Sequence, residues 1–213
     1  MAGYFLYLEH IADLTAGKKL VSSGMMKERE RCLEAVRLAA AGETVSLVSS
    51  GDAGVYGMAG LAIEIAEKEN ADIDIEVVPG ISAANAAAAK LGAPLMLDFA
   101  CVSLSDLLVP WDIIIKRLEA VAAADLVAVI YNPRSKKRVS QLEQAAAIFS
   151  KHRPATTPVG ICTAIGADDE SVVISDLGAF LSLEINMRSI VIIGNTSTRI
   201  VNGKMVTPRG YEV

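Results

Sequence analysis

The chain has 213 residues, 52% of them hydrophobic, with a mean hydropathy of +0.40. That is enough for a substantial buried core in one large or two small domains. A net charge of −5 argues against a nucleic-acid surface, which needs a basic balance or stripe, and no run reaches the ~18 apolar residues of a membrane span. The three cysteines, Cys32, Cys101 and Cys162, are scattered and read as reduced thiols of a cytoplasmic protein. The two histidines, His10 and His152, have no ligand-like neighbours, so no metal site is expected. No charged leader with an apolar core and cleavage site opens the chain, so no signal peptide is expected.

Helices and strands alternate along the sequence. KERERCLEAVRLAAAG (27–42) predicts an amphipathic helix closed by Gly42. TVSLVS (44–49) reads as a buried strand, MAGLAIEIAEKE (58–69) as a helix, and DIEVVPG (74–80) as a strand broken by Pro79-Gly80. SAANAAAAKLG (82–92) predicts a helix with Ser82 as N-cap. FACVSLS (99–105) and WDIIIKRLEAVAAA (111–124) give the next strand and helix, LVAVIYNP (126–133) and KRVSQLEQAAAIFSKH (137–152) another pair. TPVGICTAIG (157–166) is a strand and loop. SVVISDL (171–177), RSIVIIGN (188–195), TRIVNG (198–203) and KMVTPRG (204–210) look like antiparallel strands and hairpins. The predicted class is α/β in two domains, 1–109 with a mostly parallel sheet and 110–213 mixed, divided near LVPW.

The loop after the 44–49 strand, SSGDAGVYG (49–57), has the layout of a nucleotide site but matches neither GxGxxG nor GxxxxGK[ST]. Gly51 and Gly54 would let a ligand approach the backbone. Asp52 would repel a polyphosphate, and no lysine closes the loop to neutralise one. A ligand with ammonium, sulfonium and hydroxyl groups fits better, and S-adenosylmethionine is such a ligand. A tight glycine turn with an exposed aspartate is the alternative. VPGISAAN (78–85), YNPRSKKR (131–138) and CTAIG (162–166) are further loops expected at strand carboxyl ends, where open α/β sheets bind ligands. IIGNTSTR (192–199) adds another polar turn after an apolar strand.

Together these pieces resemble the tetrapyrrole methylases. Gly51-Asp52-Ala53-Gly54-Val55-Tyr56-Gly57 resembles the family's GDPxxYG loop with alanine in place of proline, and Pro79-Gly80-Ile81-Ser82-Ala83 resembles its PGxSA turn. VSLSDLLVPW, YNPRSKKR and the ending MVTPRGY resemble the ring-contracting branch, and the likeness runs from about residue 3 to 211. The resemblance implies the family's two-domain fold, a homodimer, and S-adenosylmethionine as methyl donor held between the domains. It implies methylation of C17 and contraction of a tetrapyrrole ring, with or without cobalt already bound. By motif match the cofactor residues would be Gly51, Asp52, Ala53, Val55, Tyr56, Gly57, Ser82, Ala83, Tyr131, Asn132, Cys162, Thr163, Gly194 and Asn195. Arg134, Lys136, Lys137 and Arg138 would hold substrate carboxylates. Asp52, Ser103, Ser105, Asp106 and Tyr131 are the candidates for acid, base or hydrogen-bond assistance. Family members carry a strand and a GxGPGD-type loop ahead of the segment that Gly3–Ile11 resembles. The sheet is therefore expected to lack that strand, through a start placed at an internal methionine or a true truncation. Another methylase of the same fold, or a chain that binds S-adenosylmethionine or tetrapyrrole without turnover, are the alternatives.

Overall fold

The structure, a computed structural model, describes residues 1–136 and 138–212. These form two compact units, Met1–Ser82 and the residues from Ala83 on. The boundary expected near 109 falls within the second unit.

In the first unit β1 (Ala2–Tyr4) leads into the short helices α1 (Phe5–His10) and α2 (Ala12–Thr15). β2 (Val21–Ser23), α3 (Glu28–Ala40), β3 (Leu47–Val48) and α4 (Ala59–Lys68) follow. β1 is central in a parallel sheet of order β2-β1-β3, with Ala2 opposite both Val21 and Leu47. α3 and α4 bury Cys32, Val36, Met58, Ala62, Ile65 and Ala66 against one another. α3 ends as its sequence predicts. Gly42 takes φ +92°, its amide donates to Ala39, and the Glu43 amide donates to Leu38, the paired bonds of a Schellman turn. Asn70 (φ 49°) closes α4 in the same way, with Ala71 donating to Ala66.

The strand expected over 74–80 does not form. Residues 72–80 form no strand, and among the described residues β3 pairs only with β1. A groove of about 880 Å³ lies between 44–49 and 72–78, so no ladder joins the two segments. The alternation Ile73, Ile75, Val77 is an intrinsic strand pattern without a neighbour to pair with.

The second unit opens with α5 (Ala83–Leu91), β4 (Gly92–Ala93), β5 (Phe99–Ser103) and α6 (Trp111–Ala123). It continues with β6 (Val127–Tyr131), α7 (Gln141–Phe149), β7 (Pro158–Thr163) and β8 (Ser171–Asp176). A 3-10 turn (Phe180–Ser182), β9 (Ser189–Ile193) and the hairpin β10 (Arg199–Val201), β11 (Lys204–Val206) complete it. The main sheet has order β5-β6-β9-β7-β8. β5 and β6 are parallel, β9 runs antiparallel to both β6 and β7, and β8 antiparallel to β7. β4 joins β10 and β11 in a smaller sheet.

Both faces of the main sheet are covered, which is why its central strands read as unbroken apolar runs. Ala128 and Ile130 of β6 pack with α6 and α7 around Leu118, Leu142 and Phe149. Val127 and Val129, one residue out of phase, pack with Ala84, Ala87 and Leu91 of α5. Gly160 in β7 makes room for α5: a Cβ there would stand 2.3 Å from a Leu91 methyl.

Candidate functional site

In the first unit the 49–57 loop is organised by Asp52. Its Oδ1 accepts the amides of Gly54 (2.8 Å) and Val55 (3.1 Å), and its Oδ2 accepts the amide of Gly80 at 3.0 Å. One carboxylate thus turns its own loop and fastens the PGIS turn to it. Both close approaches need glycine. A Cβ on Gly80 would sit 2.1 Å from the Gly51 carbonyl oxygen, and one on Gly57 would sit 2.4 Å from that of Ala53. Gly51 (φ 70°) and Tyr56 (φ 54°) supply the left-handed bends, and the Ala59 amide closes the loop on the Ala53 carbonyl. Ala53 makes its bond through the carbonyl, so the alanine that replaces the family's proline leaves this closure intact. Val55 and Tyr56 stand exposed, and a Cβ at Gly54 would meet only an Asp52 oxygen, at 3.4 Å. A ligand can therefore lie along the backbone here.

The amide bond from Gly80, then that from Gly54, hold the Asp52 carboxyl below its ordinary value against the opposing effect of burial, with the Val55 amide adding a lesser contribution. A carboxylate so engaged is a structural acceptor and a weak base. Its contribution is complete above the unfolded carboxyl value of about 3.9 and disappears as pH falls through the lower folded value. Ligand binding should therefore be flat across neutral pH as far as Asp52 is concerned. In Asp52→Asn one acceptor oxygen becomes an NH₂ facing amide donors. Affinity for S-adenosylhomocysteine is expected to fall by about tenfold, the order of one lost hydrogen bond to a charged group, as read by titration calorimetry.

In the second unit the carboxyl ends of β5, β6 and β7 lie on one edge of the main sheet, as their parallel directions require. The Tyr131 hydroxyl, at the end of β6, accepts the Ala84 amide in the first turn of α5 (3.0 Å), next to Ala83. Asn132, left-handed at φ 50°, donates from Nδ2 to Ser103 Oγ at 3.0 Å, and the Ser105 amide donates to the same oxygen at 3.2 Å. Arg138 donates from Nε to the Asn132 carbonyl, and its amide donates to Ser135 Oγ. Gln141 donates to Asp106. These bonds hold the turns 103–106 and 132–141 side by side, with Leu107 and Leu108 exposed next to them, Leu108 at 91%.

The predicted basic residues differ in what they have left to offer. Arg134 is paired with Glu143. Arg138 and the exposed Lys136 have no carboxylate within ion-pair distance among the described residues. Lys137 lies outside the described residues. Thr163 shares a hydroxyl bond of 2.7 Å with Ser189. The Cys162 thiol points under α5 toward the Ala87 carbonyl, and burial pushes it up to about 11, so only its backbone can face a ligand.

Gly194 and Asn195 do not join this edge. β9 is antiparallel to β6 and β7, with Ile193 opposite Ala128 and Val159 while Ser189 is opposite Thr163. The loop after β9 therefore emerges at the other end of the sheet from Tyr131, Asn132 and Thr163. There Asn195 Oδ1 accepts from the amide and hydroxyl of Ser197 and from the Thr198 hydroxyl, and the Gly194 carbonyl accepts from Arg153. The structure uses both residues to build a buried corner.

Residues 5–180 match the family model described as Tetrapyrrole (Corrin/Porphyrin) Methylases. The chain belongs to this family. Over 99% of its length this tetrapyrrole methylase is 46% identical to a protein of Priestia megaterium named cobalt-factor III methyltransferase, of which it spans only 40%. It is 44% identical, again over 99% of its length, to a Salmonella typhimurium protein named "Probable cobalt-factor III C(17)-methyltransferase", and there it spans 88%. The crystal structure of the methyltransferase CobJ matches with a TM-score of 0.90 at 36% identity, covering 97% of this chain and 87% of that one. The α/β fold expected for the family is the fold of this chain. Among the described residues no helix is long and apolar enough to cross a membrane.

Proposed function

We propose that this tetrapyrrole methylase transfers the methyl group of S-adenosylmethionine to C17 of cobalt-factor III or of its cobalt-free counterpart precorrin-3B, with contraction of the ring. The observation that carries the reading is the 44% identity that runs through 99% of the chain and 88% of a relative bearing that name. The glycine loop supports it: an Asp52-clamped turn with open backbone and no phosphate-binding lysine suits a cationic, hydroxylated donor. In the transfer the donor's C–S bond breaks as the new C–C bond to the ring carbon forms, and the sulfonium becomes a neutral thioether. Orientation supplies most of the help such a step needs, worth roughly 7–11 kcal/mol when two reactants are held in line. A loop that Asp52 turns on itself and fastens to the PGIS turn is suited to that. On the second unit, Arg138 and Lys136 are proposed to take the carboxylates of the tetrapyrrole, beside the apolar Leu107 and Leu108. Action as a homodimer in the cytoplasm is part of the same proposal, supported by the resemblance; light scattering checks the dimer.

The test is titration calorimetry with S-adenosylhomocysteine, followed by turnover of cobalt-factor III and precorrin-3B with methyl-labelled donor. Micromolar binding and label in the tetrapyrrole are the expected results. Binding without label transfer would replace the reading with a non-catalytic binder, and a folded protein that binds nothing would end it.

A further inference from the structure

The first unit contains a charged residue that the reading above does not use. Arg31, on α3, is 3% exposed. Its Nε donates to Ser23 Oγ (2.9 Å), Nη2 to the Gly24 carbonyl (2.9 Å) and Nη1 to the Met58 sulfur (3.1 Å), and it stands 5.9 Å from the centre of the Tyr4 ring. All these partners are neutral. Among the described residues no carboxylate lies within ion-pair distance of its guanidinium. A buried charge held only by neutral groups is costly, and proteins ordinarily answer it with an opposite charge.

Beside Arg31 is a pocket of about 170 Å³, lined by Ser49, Ser50, Tyr4, Tyr7 and Tyr56 among others. Its wall is thus shared with the 49–57 loop, and its polar groups are hydroxyls that can donate to an anion. Glu28 also lines it but is exposed to solvent, where water screens its charge. We propose that this pocket seats a carboxylate of a bound reactant against Arg31. The carboxylate has two sources under the proposed function, on which this inference rests: the amino-acid end of the methyl donor, or one of the acid side chains of the tetrapyrrole.

The experiment compares wild type with Ser50→Leu, which fills the pocket and keeps Arg31, and with Arg31→Lys and Glu28→Gln. S-adenosylhomocysteine and 5′-methylthioadenosine, which lacks the amino-acid carboxylate, are the calorimetric probes; the KM for cobalt-factor III is the kinetic one. If the donor's carboxylate occupies the pocket, Ser50→Leu and Arg31→Lys weaken S-adenosylhomocysteine about tenfold, the size of a lost charge-assisted bond, and leave methylthioadenosine unchanged. If the tetrapyrrole supplies it, both nucleoside affinities hold while KM rises about tenfold at constant kcat. In either case Glu28→Gln tightens the same ligand. The inference is overturned if Ser50→Leu changes none of these quantities, or if it weakens both nucleosides equally. A wild-type chain that binds and turns over nothing overturns the functional reading and this assignment with it.

Discussion

Gly80→Ala is expected to reduce S-adenosylhomocysteine affinity by about a hundredfold while lowering the stability of the folded chain by only about 1 kcal/mol, because the added methyl meets backbone but the loops can part into solvent. The added methyl would lie 2.1 Å from the Gly51 carbonyl oxygen and 3.1 Å from its carbon. Neither atom belongs to a side chain that can rotate away, so relief requires the two loops to separate. Separation breaks the Gly80 amide bond to Asp52 at 3.0 Å, the link between the PGIS turn and the glycine loop. Both segments are exposed, which is why the thermal transition barely moves. Gly80 does not occupy the left-handed region, so alanine brings no backbone strain of its own and the contact alone is tested. Gly54→Ala is the control. Its methyl would meet only an Asp52 oxygen at 3.4 Å, an ordinary contact, and affinity should stay within about threefold of wild type. A Gly80→Ala protein that binds as tightly as wild type would remove this loop pair from the ligand site.

What could be read in the sequence was local. The apolar run 127–131 and the turn chemistry of Gly42 are each set by residues within a few positions, and both appear where the pattern puts them. Asp52 could be placed in a glycine loop, but its partner Gly80 is far along the chain, and nothing in a one-dimensional pattern pairs them. Arg31 sits in KERERCLEAV among charges and reads as helix surface; its burial is decided by Ser23, Gly24 and Met58, which the fold brings to it. Gly194 and Asn195 entered the cofactor set by motif match alone, and although their strand reads as antiparallel, its neighbours are not legible in the sequence. Only the pairing of β9 between β6 and β7 shows that its loop leaves at the other end of the sheet from Tyr131 and Thr163. The 74–80 strand failed for a related reason: strand propensity proposes, but a ladder needs a neighbour.

The corner beyond β9 carries the largest stability effect. Arg153 has a side chain with no solvent exposure, lying over the Phe149 ring at 4.6 Å. It donates to the Gly194 and Leu126 carbonyls, both at 2.6 Å, and to the Val121 carbonyl at 3.5 Å. Its Nε is 3.5 Å from Asp125, which in turn accepts the Thr196 amide. One guanidinium therefore joins the end of α6, the start of β6 and the loop after β9. Burial holds its own value below that of a free guanidinium in spite of Asp125, so the charge costs the fold something, and three carbonyls and a stacked ring repay it. Arg153→Ala removes every donor at once and leaves the Gly194 and Leu126 carbonyls unpaired, and at roughly 1–3 kcal/mol for each a loss of about 3–5 kcal/mol is expected. Arg153→Lys keeps the charge but cannot fork between two carbonyls and should fall between. Denaturant melts read the loss. Affinity for S-adenosylhomocysteine, measured well below the transition, separates two roles for the corner. The strand directions place it away from Tyr131, Asn132 and Thr163, so the affinity of Arg153→Lys should stay within about twofold of wild type, since distant sites act independently. A tenfold loss in a still-folded Arg153→Lys protein would instead return Gly194 and Asn195 to the cofactor site.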